Sequence, residues 1–110
     1  MTTTADPLSS VVDAPLFIVP RVLDALRACR ERPRPASPAA TQLDALLDRL
    51  LAGVAAHPTK FWVMRQFRDA LQAVEGEDVD ARTQFRGALE ELMDILGIGN
   101  SDGILGPNHR

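Results

Sequence analysis

The chain has 110 residues, a length typical of a single domain with one hydrophobic core. Apolar residues make up 45% of the sequence and the net charge is -3, which argues against a wholly disordered chain and against a strong field attracting nucleic acid or anionic membranes. Cys29, the single cysteine, cannot form an internal disulfide. We therefore expect a cytoplasmic protein that contacts no membrane, needs no cofactor and does not have nucleic acid as its main partner.

The N-terminal region is rich in Thr, Ser, Asp and Pro, and we predict a flexible arm over residues 1–14 and one helical domain over residues 15–110. An apolar run, residues 16–19, follows between Pro15 and Pro20 and is called the apolar segment below. It is too short to span a membrane or to form the core of a signal peptide. Because the sequence has no second strand candidate to pair with it, we expect the apolar segment to pack against the helices.

Two helices are predicted in the first half of the chain. The first begins at Pro20, because proline lacks only an N–H that has no partner at that position, and it ends near Arg32, before Pro33. The second begins after Ser37, a typical N-cap residue, and extends to about Ala56. Its leucines recur at i, i+3, i+4 and i+7, the spacing that places them on one buried helix face.

Two further helices are predicted in the second half. Thr59 is the candidate N-cap of the third, which ends near Val74 with Gly76 in a left-handed conformation after it. Asp78 or Asp80 caps the fourth, where a carboxylate complements the positive end of the helix dipole. The predicted fold class is all-α, a compact bundle of about four antiparallel helices with a loose N-terminal arm and an ordered C-terminal tail.

The predicted tail follows Gly97, which ends the fourth helix, and its aliphatic residues Ile104 and Leu105 can return to the bundle after a polar turn. Residues 90–105, Glu-Glu-Leu-Met-Asp-Ile-Leu-Gly-Ile-Gly-Asn-Ser-Asp-Gly-Ile-Leu, resemble one end of a family of short bacterial proteins known as a domain of unknown function. The sequence departs from that family where Gly-Pro-Asn at residues 106–108 replaces an ending that contains an aromatic residue. The resemblance implies only that the tail is a structural element of a small helical fold.

Adjacent aromatic residues near the start of the third helix suggest a binding surface. Phe61 and Trp62 point about 100° apart on a helix, so one of them can stay exposed beside Arg65, and Trp and Arg are frequent in binding hot spots. An acidic loop before the fourth helix would suit an arginine-bearing partner. The candidate partner-binding residues are Phe61, Trp62, Arg65, Glu75, Glu77, Asp78 and Asp80. Alternatively, the tail covers Trp62 and the acids serve only as helix caps; an exposed Trp62 favours a homodimer and a covered one a monomer.

A basic cluster lies at the end of the first helix and in the connector that follows. It comprises Arg27, Arg30, Arg32 and Arg34, which could contact phosphate or an acidic partner. The alternative, which we favour, is a solvated helix end where arginine complements the negative pole of the dipole.

The sequence lacks the spacing of a catalytic or metal site. His57 and His109 have no companion at ligand spacing, and the acidic loop lacks the pattern of an EF-hand. Cys29 lies on the apolar face of the first helix, which is typical of an inert buried thiol. We therefore expect a non-enzymatic protein-binding module, such as an adaptor or an immunity-type protein, that acts as a monomer or homodimer. The alternatives are a small nucleic-acid-associated regulator using the arginine cluster, and a metal-binding protein or minor enzyme built on the acids.

Overall fold

The computed structural model describes residues 13–99 of the chain, and this part of the chain contains four helices. They are α1 (Pro20–Glu31), α2 (Pro38–Gly53), α3 (Lys60–Ala73) and α4 (Val79–Leu96). Helix α2 packs against each of the other three, and α4 also packs against α1. The predicted all-α bundle is confirmed. Residues 1–12 of the predicted arm and residues 100–110 of the predicted tail lie outside the described residues.

Three of the helices begin with the side-chain caps that the sequence predicts. The hydroxyl oxygen of Ser37 accepts a hydrogen bond from a first-turn N–H of α2 at 3.0 Å, and that of Thr59 does the same for α3 at 3.2 Å. Asp78, rather than Asp80, caps α4, with its carboxylate accepting an N–H at 2.8 Å. Asp80 lies in the first turn of α4, where its charge complements the helix dipole.

The helix ends differ more from the prediction. Helix α2 ends at Gly53, and the residues predicted to continue it as far as Ala56 form a turn instead. The predicted left-handed conformation of Gly76 is wrong, because Gly97 (φ 79) is the only glycine with a positive φ between residues 13 and 99. Helix α3 instead closes through tight turns, in which the Val74 N–H donates to the Leu71 carbonyl at 3.2 Å. Gly97 ends α4 as predicted.

One core joins all four helices. Phe67 and Met64 of α3 are fully buried, as are the central leucines of α2. Most of the buried residues are ones that the sequence predicted to lie on the apolar faces of the helices. They include Leu26, Leu46, Leu47, Leu50, Val63, Leu89 and Leu92. The helices therefore form because their apolar faces can be removed from water only against one another.

Candidate interaction surfaces

The backbone before α1 pairs with the connector between α2 and α3. The Leu16 N–H donates to the Pro58 carbonyl oxygen at 2.7 Å, and the Lys60 N–H donates to the Ala14 carbonyl oxygen at 2.8 Å. Together they form an isolated antiparallel bridge at Pro15. The expectation that the apolar segment has nothing to pair with is thus wrong at its start. The sequence could not reveal this pairing, because a short connector carries no strand pattern.

The apolar segment has two different faces. Leu16 and Ile18 pack against the core, as predicted. Phe17 and Val19 point the other way and are 84% and 44% exposed. This alternation is the geometry of extended backbone, in which successive side chains lie on opposite sides. Four consecutive apolar residues show no period in the sequence, so Phe17 could not be recognised as the exposed aromatic residue.

Phe17 also has unused backbone groups. Within residues 13–99, neither its N–H nor its carbonyl oxygen has a hydrogen-bond partner, and the same is true of the Pro15 carbonyl and the Val19 N–H. An extended segment with unpaired backbone groups and exposed apolar side chains is a site where another strand can add.

The Trp62 corner, formed by Gly53, His57, Thr59 and Trp62, is where the end of α2 meets the start of α3. Trp62 is half-buried, packs against the core and stacks on the His57 ring with the centroids 5.6 Å apart and the planes 20° apart. Its indole also lies against Gly53. The indole is therefore held in place by its neighbours within the bundle. Ile104 and Leu105, the predicted cover for Trp62, lie outside the described residues.

A pocket of about 330 Å³ lies beside Trp62. Phe61 and Arg65 also line it, so the structure brings these three predicted partner-binding residues together. Asp13 lines the same pocket, and its carboxylate accepts the Phe61 N–H at 2.9 Å. Because Pro58 lines the pocket and also pairs with the apolar segment, the two surfaces lie next to each other.

The acidic residues predicted to share that surface lie elsewhere. Glu75, Glu77, Asp78 and Asp80 follow the far end of α3, a helix of 14 residues and thus roughly 20 Å long. Two of them have a local role, since Asp78 is the N-cap of α4 and Asp80 lies in its first turn. In residues 13–99, no group of three or more His, Cys, Asp or Glu side chains is placed to hold a metal ion.

The arginine cluster is held by carboxylates of the chain itself. Arg27 pairs with Asp24 at 3.0 Å, Arg30 with Asp48 at 2.8 Å and Arg32 with Glu91 at 2.7 Å, as measured between nitrogen and oxygen. Arg34 pairs with Asp44 and also donates to the Cys29 carbonyl oxygen at 2.6 Å. A phosphate group at this surface would have to compete with carboxylates already in contact with the guanidinium groups.

Cys29 lies beneath one of these ion pairs. Its Sγ is 3.9 Å from a Glu91 oxygen and 3.6 Å from the Arg32 guanidinium. Burial raises the pKa of the Cys29 thiol, and the negative charge of Glu91 raises it further, whereas Arg32 acts in the opposite direction. The hydrogen bond from Arg32 holds the pKa of Glu91 below its ordinary value. The thiol is therefore poorly suited to act as a nucleophile near neutral pH.

A groove of about 390 Å³ lies between the start of α2 and the first half of α4. Leu43 and Phe85 form part of its apolar wall, and Arg34 also lines it. The paired state of Arg34 leaves this groove without an uncompensated charge that would select a ligand.

Comparison of the chain with protein-family models, curated proteins and solved structures finds no match. The resemblance of residues 90–105 to a family of short bacterial proteins therefore stays a prediction. None of the helices in residues 13–99 is both long and apolar enough to cross a membrane.

Proposed function

We propose that this chain is a protein-binding module, of the adaptor or immunity-protein type, that contacts its partner through the apolar segment. The observation that carries the proposal is the 84% exposure of Phe17 beside an exposed Val19. A phenylalanine side chain held in water forgoes roughly 1.5–3 kcal/mol of burial free energy, and exposed apolar patches mark sites of association.

The position of Phe17 is set by the rest of the segment. Leu16 and Ile18 are anchored in the core, and the bridge at Pro15 fixes the backbone on one side. Phe17 is thus presented on a supported extended segment, so little conformational entropy is lost when a partner covers it.

The Trp62 corner could extend the same contact surface. Phe61, Trp62 and Arg65 line a pocket that borders the apolar segment through Pro58. A partner on the apolar segment would therefore come close to a tryptophan and an exposed arginine, both of which are common in hot spots. The acidic loop, at the far end of α3, would take part only if the partner were large.

The nucleic-acid alternative has less support. Each arginine of the cluster, such as Arg32 against Glu91, already contacts a carboxylate of the chain. A bacterial source, suggested by basic residues that are almost all arginine (Lys60 is the single lysine) and by abundant alanine, and residence in the cytoplasm are parts of the same proposal.

The proposal is tested by capture from a lysate of the source organism with the full chain as bait. We compare the wild type with Phe17→Ser and with Val79→Ser, a control in which another exposed apolar side chain, 64% accessible, is removed. The wild type and Val79→Ser should retain a stoichiometric partner, or a differently tagged copy of the chain, that Phe17→Ser loses. Equal capture by all three baits would contradict the proposal, provided that their circular dichroism spectra agree.

A further inference from the structure

We propose that the partner of the apolar segment is a second copy of this chain, paired with it antiparallel about a two-fold axis at Phe17. The inference rests on the proposed function and specifies the partner. An antiparallel pair of identical segments is self-complementary, as a closed symmetric dimer requires.

The direction of the free backbone groups follows from the bridge at Pro15. In extended chain, the N–H and C=O of alternate residues face the same edge. The Ala14 carbonyl and the Leu16 N–H face the α2–α3 connector, where both are hydrogen-bonded. The corresponding groups of Pro15, Phe17 and Val19 therefore face the opposite edge, which is open within residues 13–99.

A two-fold axis at Phe17 matches the donors and acceptors of Pro15, Phe17 and Val19 on that edge. The two Phe17 residues exchange two hydrogen bonds, and each Val19 N–H meets the Pro15 carbonyl of the other copy. The remaining positions in this ladder are the Pro15 nitrogen, which has no hydrogen, and the Val19 carbonyl, which already accepts the Val22 N–H at 2.9 Å. These two groups would face each other, so the register leaves no donor or acceptor of Pro15, Phe17 or Val19 unmatched.

A different register loses this match. If Phe17 lay opposite Pro15 of the other copy, each Phe17 carbonyl would face a nitrogen without a hydrogen. Among the registers in which the open edges of the two copies pair, the backbone therefore favours the one with Phe17 opposite Phe17.

The side chains agree with the same register. Phe17 would lie beside its own copy on the face turned away from the core, and Val19 beside Pro15 of the other copy. Cross-strand aromatic pairs stabilise sheets. Pairing would thus cover the two most exposed apolar residues of the apolar segment.

The charges near the segment are also complementary. Asp13 and Arg21 are equally far from Phe17 along the chain. Antiparallel pairing therefore brings Asp13 of each copy towards Arg21 of the other copy. Both are exposed, and within residues 13–99 Arg21 has no ion pair. Asp13 uses Oδ1 for the Ala14 and Phe61 N–H groups, and within the described part of the chain its carboxylate forms no ion pair. Two attractive contacts would flank the strands.

A strand pair of this length is small compared with stable interfaces, which bury on the order of 1,200 Å² or more. The expected dimer is therefore reversible, and it should form as the concentration rises towards the millimolar range.

Sedimentation equilibrium on the full chain, up to millimolar concentration, tests the proposal. Phe17→Ser should weaken dimerisation roughly tenfold or more, and Arg21→Glu should weaken it by a smaller factor that shrinks with added salt. Val79→Ser and Arg86→Glu, which change exposed residues of α4, should dimerise like the wild type. A wild type that stays monomeric throughout, or a dimer that Phe17→Ser leaves intact, would overturn it.

Nuclear magnetic resonance on a mixture of isotope-labelled and unlabelled chain tests the register. Leu16 and Ile18 of opposite copies would form the pair whose Cα atoms approach to about 4.5 Å, which gives a strong contact between their α-protons. A dimer lacking this intermolecular contact would refute the pairing. If the chain is monomeric but Phe17→Ser still abolishes capture of another protein, the second copy is excluded and the proposed function is retained.

Discussion

The indole of Trp62 lies so close to Gly53 that a Cβ atom at position 53 would come within 2.5 Å of Cζ2 and 2.8 Å of Cη2. Real side chains do not approach each other at these distances. Gly53 is therefore required by the close approach of an aromatic ring from α3, although in the sequence this glycine falls inside the helix predicted to extend to about Ala56.

We predict that Gly53→Ala destabilises the protein by about 1–3 kcal/mol, because the new methyl group overpacks the Trp62 corner. Gly87→Ala is the matched control, since Gly87 lies in α4 and a Cβ atom added there would meet nothing within 4 Å. That control should gain roughly 0.5–1 kcal/mol from better helix propensity. Urea unfolding measures both, and equal stability of the two variants would contradict the packing argument.

The double variant Gly53→Ala with Trp62→Phe separates steric conflict from other effects. Replacing the indole by a smaller ring removes the atoms that a Cβ at position 53 would meet. The cost of Gly53→Ala should therefore be smaller in the Trp62→Phe background than in the wild type, and the difference is the coupling free energy of the pair. Additive costs would show that the two side chains do not conflict.

The contact between Trp62 and Gly53 also shows where the sequence stops being informative. The caps at Ser37, Thr59 and Asp78 were predictable, because each depends on a hydrogen bond to backbone a few residues away. The helix faces were predictable from their spacing. The approach of Trp62 depends on how α2 and α3 cross, which neither helix encodes by itself.

The exposed aromatic residue was missed for a similar reason. Which side of the apolar segment faces the core is decided by the bridge to Pro58 and Lys60, residues far along the chain. The arginine cluster was visible in the sequence, but its carboxylate partners come largely from other helices, such as Asp48 in α2 and Glu91 in α4. Composition near one helix end could not show that these charges are paired.

The ion pair of Arg32 with Glu91 should make stability depend on pH. The pKa of Glu91 is lowered in the folded state, so its contribution is present above the carboxyl's unfolded-state pKa and is lost as pH falls through the lowered value. We predict that Glu91→Gln causes a small loss of stability near neutral pH, reduced by salt because the carboxylate is 46% exposed. The difference from the wild type should disappear in acid.

Thermal or urea unfolding across the acidic range measures this dependence. Glu31→Gln is the control, because Glu31 is exposed and has no ion pair within residues 13–99. This variant removes one negative charge next to Arg32 but breaks no ion pair among the described residues, so it controls for the change in net charge. A Glu91→Gln variant that differs from the wild type by the same amount at all pH values would show that the charge of Glu91 is not responsible.

The reactivity of Cys29 tests the same cluster by chemistry. Burial first, and then the charge of Glu91, raise the pKa of the thiol, while Arg32 lowers it. Because the thiolate is the reactive form, native Cys29 should react with a disulfide reagent far more slowly than in urea. Glu91→Gln should accelerate the native reaction, because it removes a group that disfavours the thiolate.

Arg32→Gln distinguishes electrostatics from simple access. The Arg32 guanidinium lies 3.6 Å from Sγ, so its removal opens the site and also removes a positive charge that favours the thiolate. If charge controls the reaction, Arg32→Gln slows it while Glu91→Gln accelerates it; if access controls it, both variants react faster. We expect opposite signs, after rates are compared at matched global stability so that unfolding does not contribute. Acceleration in both variants would assign the protection of Cys29 to burial under the ion pair alone.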